Sequence, residues 1–221
     1  MVRLPIFPLG TVLFPCAGLP LRVFEPRYVR LIEELMDQPA EERFFGVVAL
    51  RHGNEVGTDH RPMLARTGTT AMITGIRSDV GGPHGRVFSI ETVGVDRFEV
   101  VDFDDDTTEY YTADITWLED PDVDEDEMAR LGELASQALD DFLSAVTGSS
   151  YPMALVPDGL AYEIMHLVPL PIEDRQAVLD ADDPLERLRL ATAFLTRERL
   201  LYGQFRLAPV QRYNLAAPGR N

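Results

Sequence analysis

The side chains that could do chemistry are few and scattered. Four histidines (His52, His60, His84 and His166) and a single cysteine, Cys16, are the candidates for metal ligation or nucleophilic attack. The histidines stand far apart along the chain, and the first three fall at expected turns or loops. His52 with His60 is the nearest approach to a ligand pair, and no metal site is assigned. Cys16 near a histidine could act as a nucleophile, whereas a buried, inert thiol is the plainer reading. Asp140 and Asp141 are adjacent on an expected helix and so point in different directions, which suits solvation. Every basic residue is arginine, because the chain contains no lysine. That excludes Ser–Lys dyads, Schiff-base chemistry and the phosphate-binding lysine of a G-x-x-x-x-G-K-[ST] loop. The patterns G-x-S-x-G, H-E-x-x-H, C-x-x-C and G-x-G-x-x-G are also missing. No catalytic set is visible, and neither enzymatic activity nor a cofactor is expected.

A binding role is more legible. Arg22, Glu25 and Arg27 stand beside apolar Phe24 and Tyr28 and could line a groove. The alternative is plain structure, with Glu25 at the positive end of a helix dipole and Tyr28 packed inward. Arg97 has the same ambiguity: it could contact a ligand or pair with Glu25. Trp117, the only tryptophan, is read as an anchor at a joint between lobes rather than as a ligand contact.

The elements that must position these residues divide into two halves. Segments 3–7 and 19–24 are short and apolar but punctuated by Pro5, Pro8, Pro15 and Pro20, which predicts edge or bent strands. A helix starts at Pro26 and presents Val29, Ile32 and Met36, with Leu31 and Leu35 beside them. Residues 44–50, 67–76, 86–101 and 110–118 read as strands, with a turn at 52–54 and a glycine-rich hairpin tip at 81–85. From residue 122 the period changes from two to 3.6. Met128, Leu131, Leu134, Ala138, Phe142 and Val146 mark one helix face, widened by Leu139 and Leu143. Shorter helices follow at 160–168 and 172–179. Asp183-Pro184-Leu185-Glu186 then opens a long one with Leu185, Leu188, Thr192 and Leu195 along a face. Strands and helices are segregated, so the class is α+β: a β-rich lobe over 1–120 and a helical lobe over 121–206. An extended or disordered tail is expected over 207–221.

The net charge of −17 sits in one band. Residues 102–150 hold sixteen acids against a single arginine, while both ends are nearly balanced. Such a protein repels a phosphate backbone, which argues against nucleic acid as a partner. Solvated loop and helix surface explain the band most simply, and a docking strip for a basic partner is the functional alternative. No apolar run reaches the roughly 20 residues that a membrane span needs, and the N-terminus lacks a secretory pattern. With one cysteine and no internal disulfide possible, a cytoplasmic location is expected.

A family resemblance rests on several of these segments. Leu4-Pro5-Ile6-Phe7-Pro8-Leu9-Gly10-Thr11-Val12-Leu13-Phe14-Pro15 and Leu19-Pro20-Leu21-Arg22-Val23-Phe24-Glu25-Pro26-Arg27-Tyr28 resemble the opening signature of the Lon N-terminal, or LON substrate-binding, family. Residues 45–50 and 68–73 sit where that family has core strands, and Gly94-Val95-Asp96-Arg97-Phe98 resembles its G-x-x-R-F strand. Leu167-Val168-Pro169-Leu170-Pro171, followed by residues 175–179, resembles the helical half. Cys16 departs from the pattern, standing where glycine is usual. The resemblance implies a PUA-like pseudo-barrel followed by a helical bundle. It also implies recognition of unfolded or hydrophobic protein segments, without the ATPase or peptidase of a full Lon protease. Two other roles stay open: a small-molecule sensor with a pocket between the lobes near Cys16, and an assembly or adaptor subunit using the acidic band.

Overall fold

The computed structural model describes residues 2–50, 64–82, 85–104, 110–149, 157 and 159–205. The expected turn at 52–54, His52, His60, His84, positions 105–109 of the acidic band and the tail over 207–221 lie outside the described residues.

Six strands are found among the described residues: β1 (Val2–Leu9), β2 (Gly18–Val23), β3 (Phe44–Leu50), β4 (Leu64–Gly82), β5 (Gly85–Asp104) and β6 (Thr112–Trp117). Their order is β2-β5-β4-β3-β1-β6, and β6 pairs back onto β5. The chain of pairings β1–β3–β4–β5–β6–β1 therefore closes on itself. Among the described residues β2 is the exception, bonded only to the outer half of β5 through the register Gly18↔Val93 to Val23↔Phe88. Of the two segments read from their prolines as edge or bent strands, β2 ends the strand order and β1 does not. β1 lies between β3 and β6, but residues 2–5 register only with β6 and residues 6–9 only with β3. Pro5 and Pro8 thus each sit in a half-strand with one registered neighbour, where a missing N–H is tolerable.

Closure makes an interior, and small residues make room in it. Leu4, Ile6, Val48, Phe98, Val100, Ala113 and Ile115 form one buried cluster. A Cβ on Gly46 or Gly68 would come within 2.7 and 2.5 Å of the Phe98 ring, so these glycines leave the space that the ring fills. A second cluster forms where helix α1 (Pro26–Met36) covers the sheet through Tyr28, Leu31, Ile32 and Leu35. The predicted α1 face was centred differently, since Met36 is 39% exposed.

Four more helices follow: α2 (Glu125–Thr147), α3 (Leu160–Leu167), α4 (Ile172–Asp180) and α5 (Pro184–Phe205). The Asp124 carboxylate caps α2 by accepting from Glu127 N, and Asp183 accepts from Leu185 N at the start of α5. α2 buries Leu131, Ala135, Leu139, Phe142 and Leu143, and leaves Leu134 49% exposed. Its face is therefore rotated from the one drawn through Leu134 and Ala138. An apolar helix offers more than one run at spacings of three and four, and packing against α5 selects among them. The helical cluster includes Val12 and Phe14 from the segment after β1, with Ala49 and Ala65 from the sheet. Strands and helices thus share a core, in an α+β arrangement.

Candidate functional site

The stretch from Cys16 to Tyr28 is built on β2 and the start of α1. Along β2, Gly18, Pro20 and Arg22 are exposed while Leu19 and Leu21 are half-buried, the alternation of a strand with one covered face. Phe24 follows, 50% exposed, an unusual place for an aromatic ring. Glu25 occupies the N-cap of α1, where its main-chain carbonyl accepts from Val29 N and its side chain makes no cap. Its carboxylate instead pairs with Arg27 at 2.9 Å. The Arg27 guanidinium lies 4.6 Å from the centroid of the Tyr28 ring and 5.6 Å from that of Tyr111.

Tyr28 is not part of an open groove. It is 2% exposed and stacks on Phe7 with centroids 3.9 Å apart. Burial, against the pull of neighbouring Arg27, pushes its phenol up to about 12, so it stays protonated at neutral pH. Glu25, Arg27 and the Tyr28 ring are in mutual contact, and Arg22 and Phe24 are exposed just before them in the chain.

Arg97 is elsewhere, and its partner is not Glu25. It is 4% exposed; Nη1 donates to the carbonyls of Leu179 at 2.9 Å and Ala181 at 3.0 Å, and Nη2 to Asp120 at 2.7 Å. Arg187, 3% exposed, grips the same carboxylate with two bonds of 2.6 Å and donates through Nε to Ala181 O at 2.9 Å. Two buried guanidinium groups thus meet one carboxylate and the carbonyl end of α4, the negative end of its dipole. Arg187 also lies over the Tyr162 ring, 5.3 Å from its centroid. This is a clamp between sheet and helices. Trp117, read as the anchor of that joint, ends β6 39% exposed, and the arginine clamp does the anchoring.

Burial alone would raise the Asp120 carboxyl, but the hydrogen bonds and charges of Arg187 and Arg97 outweigh it and hold it below its ordinary 3.8. A carboxyl whose folded value is depressed contributes stability above its unfolded value and loses it as pH falls through the folded one. Wild type is therefore expected to exceed an Asp120→Asn variant in stability at pH 6. That margin should shrink as pH falls below about 4, as thermal melts at a series of pH values would show.

The remaining feature is a cleft of about 560 Å³ lined by Pro15, Cys16, Ala17, Gly18, Gly159, Tyr162, Glu163 and His166. It lies between the segment entering β2 and helix α3. Cys16 is exposed, which corrects the reading of it as a buried thiol. It holds φ 62°, the left-handed region, in a tight turn where Cys16 N donates to Gly94 O and Gly94 N to Ala17 O. Such a backbone costs an L residue roughly 1–2 kcal/mol and suits glycine, the residue that the family resemblance leads one to expect here. Cys16→Gly is expected to raise stability by about 0.5–1 kcal/mol, or about 2–3 °C in Tm, with Cys16→Ser showing no gain. Glu163 and His166, which sequence reasoning left unconnected to Cys16, are exposed one turn apart on α3. Among the described residues, no three or more His, Cys, Asp or Glu side chains lie together in a way that could hold a metal ion.

A ring of strands carries an edge strand, β2, and is clamped to helices, with Cys16 and His166 among the residues that line the cleft between β2 and α3. Residues 3–197 match the ATP-dependent protease La (LON) substrate-binding domain, and the chain belongs to that family. It is 28% identical over 205 residues to Lon protease 1 of Herpetosiphon aurantiacus, covering 86% of this chain and 23% of that protein. It is 30% identical to Lon protease 2 of Myxococcus xanthus, covering 89% and 24%. The chain thus spans about a quarter of the length of the curated relatives it matches. Among solved structures it resembles a Lon N-terminal domain protein from Xanthomonas campestris, with a TM-score of 0.60 and 27% identity over 88% of this chain and 99% of that one. The N-terminal domain of Mycobacterium avium complex Lon protease shares the fold at 14% identity, with a TM-score of 0.61. No described helix is long and apolar enough to cross a membrane.

Proposed function

We propose that the chain is a non-catalytic module of the cytoplasm that recognises unfolded or hydrophobic polypeptide segments. Its ring of strands to about residue 120 would be a PUA-like pseudo-barrel, and its helices to residue 206 a bundle. The observation that carries this reading is the open edge of β2, flanked by exposed Phe24 and Arg22, in a family defined by substrate binding. An extended segment can add to such an edge through main-chain hydrogen bonds while apolar side chains pack on Phe24. Pro20 removes one N–H from β2, so an added segment would be held there by the remaining main-chain groups of the strand. The charge of −17 disfavours nucleic acid.

The test is fluorescence anisotropy with a labelled, permanently unfolded polypeptide against wild type and Phe24→Ser. Fully burying a phenylalanine contributes about 1.5–3 kcal/mol, and Phe24 has about half of its surface left to bury, so the variant should bind about four- to tenfold more weakly. Absence of binding at tens of micromolar, or equal affinity in both proteins, would sink the reading.

A further inference from the structure

The cleft beside Cys16 and the open edge of β2 are one continuous surface, because Gly18 both lines the cleft and begins the strand. A segment lying along the six residues of β2 would run about 20 Å and reach the cleft at the Gly18 end. At about 560 Å³ the cleft is larger than one side chain needs and falls in the usual range of ligand pockets, about 300–1,000 Å³. Its walls are chemically uneven. Pro15, Ala17 and the Tyr162 ring are apolar, Glu163 is the acidic side chain among the lining, and His166 stands one turn along α3. No arginine among the described residues lines the cleft. Arg187 stands behind the Tyr162 ring and is bound to Asp120, while Arg175 stands behind Phe14, 5.4 Å from that ring's centroid. Neither lines the cleft as Glu163 does, and a carboxylate on the wall outweighs charges farther off, one of them paired with Asp120.

From this continuity and this charge, and resting on the reading of β2 as the peptide edge, we propose that the cleft receives a basic side chain of the bound segment. The aliphatic stem of a lysine or arginine would lie on Pro15 and Tyr162 while its head group meets Glu163. The substrate class is then an extended, apolar segment carrying a lysine or arginine beyond the residues that pair with β2. The net charge of −17 favours the approach of such segments over acidic ones.

The chain's lack of lysine makes the test clean. A carbodiimide joins a carboxylate to a nearby amine, and here no lysine of the protein itself can compete. Full-length protein is titrated with two labelled peptides that differ only in one lysine replaced by glutamine, then treated with the carbodiimide and mapped by mass spectrometry. The lysine peptide should bind about fivefold more tightly and form an amide to Glu163, and Glu163→Gln should abolish both effects while binding the glutamine peptide as wild type does. Equal binding of the two peptides, or amides formed at other acids, overturns the cleft assignment and leaves the β2 reading intact. Failure of both peptides to bind wild type overturns the two together. Competition by acetyl-lysine amide at the same concentration as the peptide would make the cleft a small-molecule site and also overturn the inference.

Discussion

Arg97→Ala is expected to cost about 3 kcal/mol of stability, lowering the thermal midpoint by about 9 °C. Arg97 leaves β5 and reaches the end of α4, so two of its three hydrogen bonds join sheet to helix and the third holds Asp120 in the link after β6. Removing it strands the buried carbonyl of Leu179 and takes one of two donors from Ala181 O. An unsatisfied buried acceptor carries the full desolvation penalty, about 1–3 kcal/mol each. Asp120 suffers less, because its side chain is 46% exposed and Arg187 still holds it in two places. Asp120→Ala should therefore be the milder change, although it leaves two guanidinium groups without their shared anion. Arg97→Lys keeps a charge but cannot fork to three acceptors, and should recover only part of the loss. A double-mutant cycle between Arg97 and Asp120 is expected to give a coupling of about 1 kcal/mol. A full melt of Arg97→Ala within 2 °C of wild type would show that the joint is held by apolar packing alone.

This clamp also marks how far the sequence could be read. Strand β3 was placed at both ends, because a run of Phe, Val, Ala and Leu bounded by polar residues has few other uses. The starts of α1 and α5 followed from Pro26 and from Asp183-Pro184, signals that lie within a few residues. Faces were read less well than spans: Tyr28 rather than Met36 turns inward on α1, and Ala135 rather than Leu134 on α2. The partner of Arg97 was beyond reach. Asp120 lies twenty-three residues on and the carbonyls of α4 more than eighty, brought together only by ring closure and docking of the helices. The cleft was half visible. Cys16 stood out as a departure from the glycine expected there, and its φ of 62° is the backbone that glycine would adopt without cost. Nothing in the sequence placed Glu163 and His166 opposite it, since α3 reads as one more apolar helix.

Gly94→Ala is expected to be as damaging as the loss of Arg97, about 3 kcal/mol, for a steric reason. A Cβ at position 94 would sit 2.1 Å from the carbonyl oxygen of Phe14 and 2.9 Å from its carbon. Those are main-chain atoms of a segment fixed by Cys16 N on Gly94 O, Gly94 N on Ala17 O and the Thr69 hydroxyl on Leu13 O. No rotamer change relieves the overlap, so the backbone itself must move. The five residues Gly94 to Phe98 then have a physical division of labour. Gly94 admits the chain that shapes the cleft, Arg97 ties β5 to α4, and Phe98 fills the ring between Gly46 and Gly68. Gly75 provides the control in the same sheet, because a Cβ there meets only Glu91 side-chain carbons at 3.5 Å. Gly75→Ala should shift the melt by no more than about 2 °C. A second readout separates local from global damage: Cys16 is the sole thiol, so its rate of reaction with a disulfide reagent reports on this turn alone. Gly94→Ala should raise that rate several-fold at a temperature where the protein remains folded. An unchanged rate together with an unchanged melt would mean that the 14–17 segment has room to retreat, and that the glycine is not what sets the shape of the cleft.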